Sequence, residues 1–394
     1  MTEENKKIQN SRLREDDTEK NMKILLLTLE YPPFFGGVSS YYYNLVNTWN
    51  KKADLVPIVV LNNNDNSLIN NKLPALKWLP SIFQLWKNIK KNNIDHVIVG
   101  NILPLGTATF FVAKFLPIKY SIILHGMDLA FALKTPRKKN LAIKILNKAE
   151  NIICSNSFVA QLAKEFVTDE NKIKVVTPGL DVQDILNNKL RDTKILETEL
   201  ITKYNLQEKY ILFSSSRIVK RKGMDQVIKS MPKLISLVPN LVYVVGGAGP
   251  DEEYLKQLAN SFPQQIKSRI IFLGKTTEEE KWTWFNLCDD FVMPSRNIEG
   301  DFEGFGIVYL EANLAGKPVI AGDSGGVRDA VIDGVNGILV NPENLENIIE
   351  AIVTLVKNKE VGRKLGEQGR ERVIKEFSWE NKIEEVKKII YAVK

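Results

Sequence analysis

The sequence predicts an α/β protein of two Rossmann-like domains, each a doubly wound parallel sheet, facing a central cleft. Three observations carry this. The chain has 394 residues, room for two or three domains of roughly 100–200 residues each. Short apolar runs alternate with helical patterns along nearly its whole length, the mark of parallel strands joined by crossover helices. That alternation is interrupted once, by the polar stretch from Leu180 to Glu208, and then restarts.

In chain order, residues 1–20 are polar, charged and aperiodic and read as a disordered tail. The first domain is assigned to residues 21–185. Its strands are predicted in Lys23–Tyr31, Leu55–Leu61, Asp95–Gly100, Tyr120–Gly126, Asn151–Asn156 and Ile173–Gly179. Each is a short, nearly continuous apolar run, as a strand covered on both faces requires. Residues 186–208 read as a linker. The second domain, residues 209–372, has strands predicted in Tyr210–Arg217, Leu241–Gly247, Arg269–Gly274, Asp290–Ser295, Pro318–Gly322 and Gly337–Val340. Residues 373–394 form a charged terminal helix.

Composition narrows the classes. An apolar fraction of 44% supplies a sizeable core. The net charge of +7 is compatible with phospholipid, nucleotide phosphate or nucleic acid and does not choose among them. The two cysteines, Cys154 and Cys288, are far apart and read as buried thiols in a reducing compartment. No opening segment has a signal-peptide pattern. The best candidate for a membrane span, Ile102–Ile118, is broken by Pro104, Lys114 and Pro117 and falls short of the roughly 18 apolar residues required. The expected location is the cytoplasm, at most peripheral on the inner face of a membrane.

The most informative stretch runs from Asn297 to Gly326. Glu303 and Glu311 stand eight residues apart around Gly304 and Gly306, just where a helix is predicted to begin. A helix start presents unpaired N–H groups and a partial positive charge, which suit a phosphate. Acids on either side of a phosphate suit a ligand with hydroxyls at both ends. A nucleotide sugar has that shape. The bland alternative is a solvated acidic patch.

This segment, reading EGFGIVYLEA, GKPVIAG and GG in turn, resembles the E-x7-E signature of retaining GT-B glycosyltransferases of the large family 4 group. It looks most like members that use nucleotide-activated mannose or glucose. The resemblance extends from about Met22 to Trp379. It implies a GT-B fold, with an acceptor-binding first domain and a nucleotide-sugar-binding second one. It also implies a terminal helix that crosses back to the first domain, anchored by Phe377 and Trp379. Glu303 would bind sugar hydroxyls, Glu311 the ribose, and the backbone from Gly304 and Phe305 through Gly306, Ile307 and Val308 the distal phosphate. The Gly325–Gly326 pair would allow close packing beneath the ligand.

Arg217 and Lys222 follow a strand's carboxyl end, where open α/β sheets bind ligands. Together they can neutralise a diphosphate leaving group. The family has Gly-Arg where this chain has Ser216–Arg217. Gly36 and Gly37 open the first helix, and the resemblance turns this pair towards the donor diphosphate; a tight turn is the bland reading. Gly247 lies in a glycine-rich loop that lacks the spacing of a dinucleotide fingerprint. The resemblance sets it, with Lys275 and Thr276, near the nucleotide base. His125, one of two histidines, ends a strand and would contact the hexose, while Asp128 would support the acceptor. His96 receives no role. Glu299 and Asp301 either close the sugar pocket or belong to the loop surface.

No Asp-x-Asp pair and no His/Cys cluster offers metal-ligand spacing, so no metal and no cofactor is expected, the donor being a substrate. The segment Leu79–Asn93 sets Ile82, Phe83, Trp86 and Ile89 against Lys87, Lys90 and Lys91. Such a basic amphipathic stretch either lies on anionic lipid or packs on its own sheet. The reading is thus a retaining hexosyltransferase, with GDP-mannose favoured over UDP-sugars. Its acceptor would be a glycan or lipid-linked intermediate of a glycolipid or cell-surface polysaccharide, and nucleic acid is not expected as a partner. The alternative is a non-catalytic nucleotide-sugar or membrane-surface binding module.

Overall fold

The computed structural model describes residues 22–34, 36–70, 72, 76–190 and 193–392; the tail assigned to residues 1–20 lies outside them. It divides into two compact units. Residues up to Pro178 and those from Trp379 onward make the first, and Gly179–Ser378 the second.

The first unit holds a sheet of β1 (Ile24–Leu27), β2 (Val59–Leu61), β3 (His96–Val99), β4 (Lys119–Leu124), β5 (Asn151–Cys154) and β6 (Ile173–Val175). The order is β2-β1-β3-β4-β5-β6, every pairing parallel. The helices between are α1 (Gly37–Asn50), α2 (Leu79–Asn92), α3 (Thr107–Val112), α4 (Met127–Leu133), α5 (Pro136–Lys148) and α6 (Ser157–Ala163). All residues of β1, β3 and β5 are buried. That explains why their sequences are unbroken apolar runs and not alternating ones.

The second unit repeats the plan. Its strands are β7 (Tyr210–Ser215), β8 (Leu241–Gly246), β9 (Ile270–Gly274), β10 (Asp290–Met293), β11 (Val319–Gly322) and β12 (Gly337–Val340), in the order β12-β11-β10-β7-β8-β9. Its helices are α7 (Lys194–Tyr204), α8 (Met224–Leu237), α9 (Glu252–Asn260), α10 (Glu278–Leu287), α11 (Ile307–Leu314), α12 (Leu345–Lys357) and α13 (Lys359–Glu376). α10 begins with a reciprocal Thr277–Glu280 capping box, which satisfies two of its free N–H groups. The stretch read as a linker from its polarity carries α7, and Leu200 and Leu206 are drawn into this unit's core.

In each sheet the chain reverses its direction of growth beside the first strand. In the first unit β1 has β2 on one side and β3 on the other; in the second, β7 lies between β8 and β10. Loops diverge at such switch points and leave a crevice at the carboxyl ends of the strands. The candidate site residues follow the carboxyl ends of β1, β4, β7, β8, β9 and β10, on the loops and in the helices after them.

The last helix, α14 (Trp379–Tyr391), belongs to the first unit. Trp379, Ile383, Val386 and Ile390 share one core with Tyr41, Tyr42, Leu45 and Trp49 of α1. Phe377 goes the other way. Its ring lies 5.9 Å from Phe305, with the Arg372 guanidinium 4.8 Å above it, inside the second unit. Only Trp379 of the expected anchor pair is seated in the first unit.

Candidate active site

The second unit gathers charge at its switch point. After β7 the chain turns through a short 3-10 segment, Lys220–Lys222, and reaches Gly223 at φ 75°. A Cβ there would lie 2.0 Å from the Pro294 carbonyl oxygen, so only glycine lets this turn press against the end of β10. Lys222 is buried by that approach. Its ammonium and the Arg221 guanidinium both donate to Oε2 of Glu303, the Arg221 Nη1 contact being 2.9 Å. Arg221 Nε also meets Asp301 Oδ1 at 3.1 Å. Burial alone would raise the Glu303 carboxyl. The Lys222 and Arg221 cations outweigh it and hold the group below the ordinary glutamate range. Glu303 Oε1 makes no hydrogen bond to any described residue.

The backbone around Glu303 is fixed from behind. Gly326 N–H donates to its carbonyl at 2.9 Å, and a Cβ on Gly325 would come within 2.5 Å of the same oxygen. The Gly325–Gly326 pair therefore packs against this loop. Gly306, at φ 82°, starts α11, and any side chain there would collide with the Tyr309 ring at 2.3 Å. Phe305 and Val308 are buried, while Gly304 and Ile307 keep surface. Glu311 is held at 2.9 Å by Lys281 Nζ, whose ammonium also lies 5.3 Å above the Trp282 ring. Beneath these loops Arg296 Nη2 contacts both Asp225 carboxylate oxygens at 3.0 Å, and its N–H donates to the Arg221 carbonyl at 2.8 Å.

The remaining expected residues are nearby in chain but less engaged. Arg217 is exposed and forms no ion pair among the described residues; Ser216 Oγ donates to its carbonyl. Gly247, at φ 119°, would place a Cβ 1.9 Å from the Ser216 carbonyl, and its N–H donates to Gly274 at 2.8 Å. That bond links the loops after β8 and β9, at whose end Lys275 and Thr276 stand. Neither makes a side-chain hydrogen bond to a described residue.

The first unit's switch point is nearly free of cations. His125 follows β4. Its Nε2 lies 3.1 Å from the Tyr42 hydroxyl, which donates to the Gly100 carbonyl at 3.0 Å. The ring is flanked edge-on by Tyr41 at 4.9 Å and Tyr42 at 5.4 Å, and Trp379 backs Tyr41 at 5.2 Å. Burial pushes the imidazole down to about 4, so it is neutral at pH 7. Asp128 accepts from the His125 N–H at 3.1 Å and from the Asn101 side chain. Burial, with Glu30 adding to it, raises its carboxyl to about 6. Glu30 is raised by burial too. Gly36 and Gly37 open α1; a side chain on Gly37 would meet nothing within 4 Å. His96 bonds Ser121 at 3.0 Å within the sheet.

α2 divides its apolar residues differently from the sequence pattern. Ser81, Leu85 and Ile89 face inward, Ile82 and Trp86 are half-buried, and Phe83 is 68% exposed. Phe115, 73% exposed, lies 6.4 Å from Trp86, and Phe111 stacks on Trp78 at 5.8 Å. Lys90 sits over Trp86 and Lys114 over Phe111. No helix among the described residues is long and apolar enough to cross a membrane. Cys154 and Cys288 are free, buried thiols.

Reading by sequence overlooked Arg221, Lys281, the Asp225–Arg296 pair, Tyr42, Glu30 and Asn101. The available signals were a third cation beside Lys222, a Tyr41–Tyr43 run and an acid immediately past the first strand.

Comparison with known proteins agrees with this architecture. Residues 35–184 match the Glycosyltransferase Family 4 model and residues 197–372 the Glycosyl transferases group 1 model. A GDP-mannose-dependent monoacylated alpha-(1-6)-phosphatidylinositol monomannoside mannosyltransferase of Corynebacterium glutamicum is 26% identical over 370 residues, 91% of this chain and 95% of that protein. A glycosyltransferase from Rickettsia africae superposes with a TM-score of 0.78 at 19% identity, covering 95% of this chain and 99% of that one. The Anabaena HepE protein, solved with UDP, gives 0.76 at 18% identity, with 94% and 100% covered. With both halves matched and the two-sheet architecture in place, the chain belongs to the GT-B glycosyltransferases of the family 4 type.

Proposed function

We propose that this protein transfers a hexosyl group from a nucleoside diphosphate sugar to an acceptor hydroxyl with retention of anomeric configuration. The observation that carries the reading is Glu303, whose Oε2 is saturated by Arg221 and Lys222 while Oε1 is unengaged, at the entrance to α11. Oε1 accepts a sugar hydroxyl. The α11 N-terminus with Lys222 and Arg217 takes the diphosphate, and Glu311, held by Lys281, takes the ribose. The backbone of Lys275 and Thr276, beside Gly247, meets the base. The bond from the anomeric carbon to the diphosphate oxygen breaks as the acceptor oxygen bonds the same face. The acceptor proton passes to the departing phosphate, whose charge the cations neutralise. Catalysis is then positioning and electrostatic stabilisation, with no divalent ion needed.

GDP-mannose is the favoured donor, on the strength of the corynebacterial relative's dependence on it; UDP-sugars come second, since HepE was solved with UDP. Incubation with a panel of GDP-, UDP- and ADP-sugars tests this, reading freed nucleoside diphosphate. One donor is hydrolysed slowly, and release from none of them rejects the reading. A lipid-linked acceptor is favoured for the same reason as GDP-mannose. The exposed Phe83 and Phe115 beside Lys87, Lys90 and Lys114 suit an anionic bilayer. Phe83→Ser with Phe115→Ser should abolish co-sedimentation with phosphatidylglycerol vesicles, and unchanged sedimentation would remove membrane contact from the proposal.

A further inference from the structure

The hydrogen bonds of the Tyr42 hydroxyl settle a question of chemistry at His125. A tyrosine hydroxyl has one proton. Here it lies 3.0 Å from the Gly100 carbonyl, which can only accept, and 3.1 Å from His125 Nε2. No other described donor reaches the Gly100 carbonyl. If Nε2 were the bare nitrogen, it would claim the only proton on the hydroxyl and leave a carbonyl unpaired beside the fully buried Tyr42, an unfavourable outcome. The alternative satisfies every group: Nε2–H donates to the tyrosine oxygen, and the tyrosine proton goes to Gly100. The remaining ring nitrogen, Nδ1, then carries a lone pair. It makes no hydrogen bond to any described residue and, unlike Nδ1 of His96, is not a sealed buried atom.

We propose that Tyr42 is a positioning residue that locks His125 in the Nε2–H tautomer, so that Nδ1 is a hydrogen-bond acceptor for a substrate hydroxyl. The tautomer of a histidine is set by the partner of its other nitrogen, and here that partner comes from α1. The ring also cannot swing freely, because Tyr41 and Tyr42 stand edge-on against it. A group that only accepts discriminates. It takes a sugar or acceptor hydroxyl as donor and rejects an analogue with the hydroxyl replaced by hydrogen or a methoxy group. What Nδ1 accepts rests on the glycosyl-transfer reading; the tautomer does not.

The chain has two histidines, so long-range proton–nitrogen correlation on the nitrogen-15-labelled full chain resolves both rings, and His96→Gln assigns them. At neutral pH the wild type should show His125 with a protonated Nε2 and a bare Nδ1. In Tyr42→Phe the two nitrogen shifts should converge as the tautomers mix. Loss of one neutral hydrogen bond should lower kcat/KM for donor hydrolysis about tenfold, with binding of the nucleoside diphosphate alone unchanged. His125→Asn, which keeps an amide near the Nδ1 position, should retain more turnover than His125→Gln. A bare Nε2 in the wild type, or a Tyr42→Phe spectrum identical to it, overturns the lock, and the wild-type spectrum decides even where a variant fails to fold. If the spectra behave as stated but no nucleotide sugar is turned over, the lock stands and the glycosyl-transfer reading falls.

Discussion

The two switch points share one architecture and opposite electrostatics. In the second unit the loops and helices that follow β7, β9 and β10 carry ions in pairs: Lys222 and Arg221 on Glu303, Arg296 on Asp225, Lys281 on Glu311. In the first, the segments that follow β1 and β4 carry groups that burial drives towards neutrality: His125 down to about 4, Asp128 up to about 6, Glu30 raised. The difference teaches how one fold makes two kinds of surface. Ion pairs keep charge in place until an anion arrives, whereas the aromatic shell of Tyr41, Tyr42 and Trp379 around His125 keeps its imidazole uncharged.

If that contrast is right, the second region fails by charge loss and the first by loss of packing or neutrality. The largest effect is expected from Lys222→Ala, which should lower turnover roughly 100- to 1000-fold, on the scale of a lost transition-state donor. Circular dichroism should show the fold retained, and turnover within a few-fold of wild type would take Lys222 out of the chemistry. Trp379→Ala removes a fully packed ring under Tyr41 and should destabilise the first unit by about 3 kcal/mol, read as a lower denaturant midpoint. An unchanged midpoint would mean that the aromatic shell does not hold this region.

A smaller effect comes from Asp128. Its folded pKa, about 6, lies above the unfolded value near 3.9. The folded state therefore binds the proton more tightly, and this group's contribution is most favourable at low pH. It becomes less favourable as pH rises from about 4 to 6 and is constant above. Asp128→Asn should remove that slope, so the stability difference between variant and wild type should grow in the variant's favour across this window. A difference curve flat with pH would show that the carboxyl is not perturbed. The smallest expected effect is that of EDTA. Donor hydrolysis should be unchanged, and activity that disappears and returns with a divalent cation would show that the paired side chains do not carry the leaving-group charge alone.

Both sheets were legible because their inner strands are buried on both faces, so Ile24–Leu27 or Val319–Gly322 stand out as apolar runs needing no partner to be recognised. The position of Glu303 was legible for a similar reason: glycines at helix starts mark local backbone demands. Its partners were not. Lys220, Arg221 and Lys222 are consecutive cations, and only the direction of the turn ending at Gly223 decides which two reach the acid. Lys281 and Glu311 are 30 residues apart, and Tyr42 and His125 are 83. α2 looked amphipathic along Ile82, Phe83 and Trp86, yet its packing face is rotated to Ser81, Leu85 and Ile89.

Taken by itself, the order of residues determined the doubly wound sheets, the two halves and the glycine-bearing loops of the candidate site, because strand burial, helix starts and glycine turns are set by neighbours a few positions away. Only the folded arrangement decided which charges cancel, which ring nitrogen holds the proton and which aromatic faces meet solvent. Those depend on groups brought together from distant strands at distances of a few ångströms, where desolvation and hydrogen-bond direction act and sequence spacing carries no information.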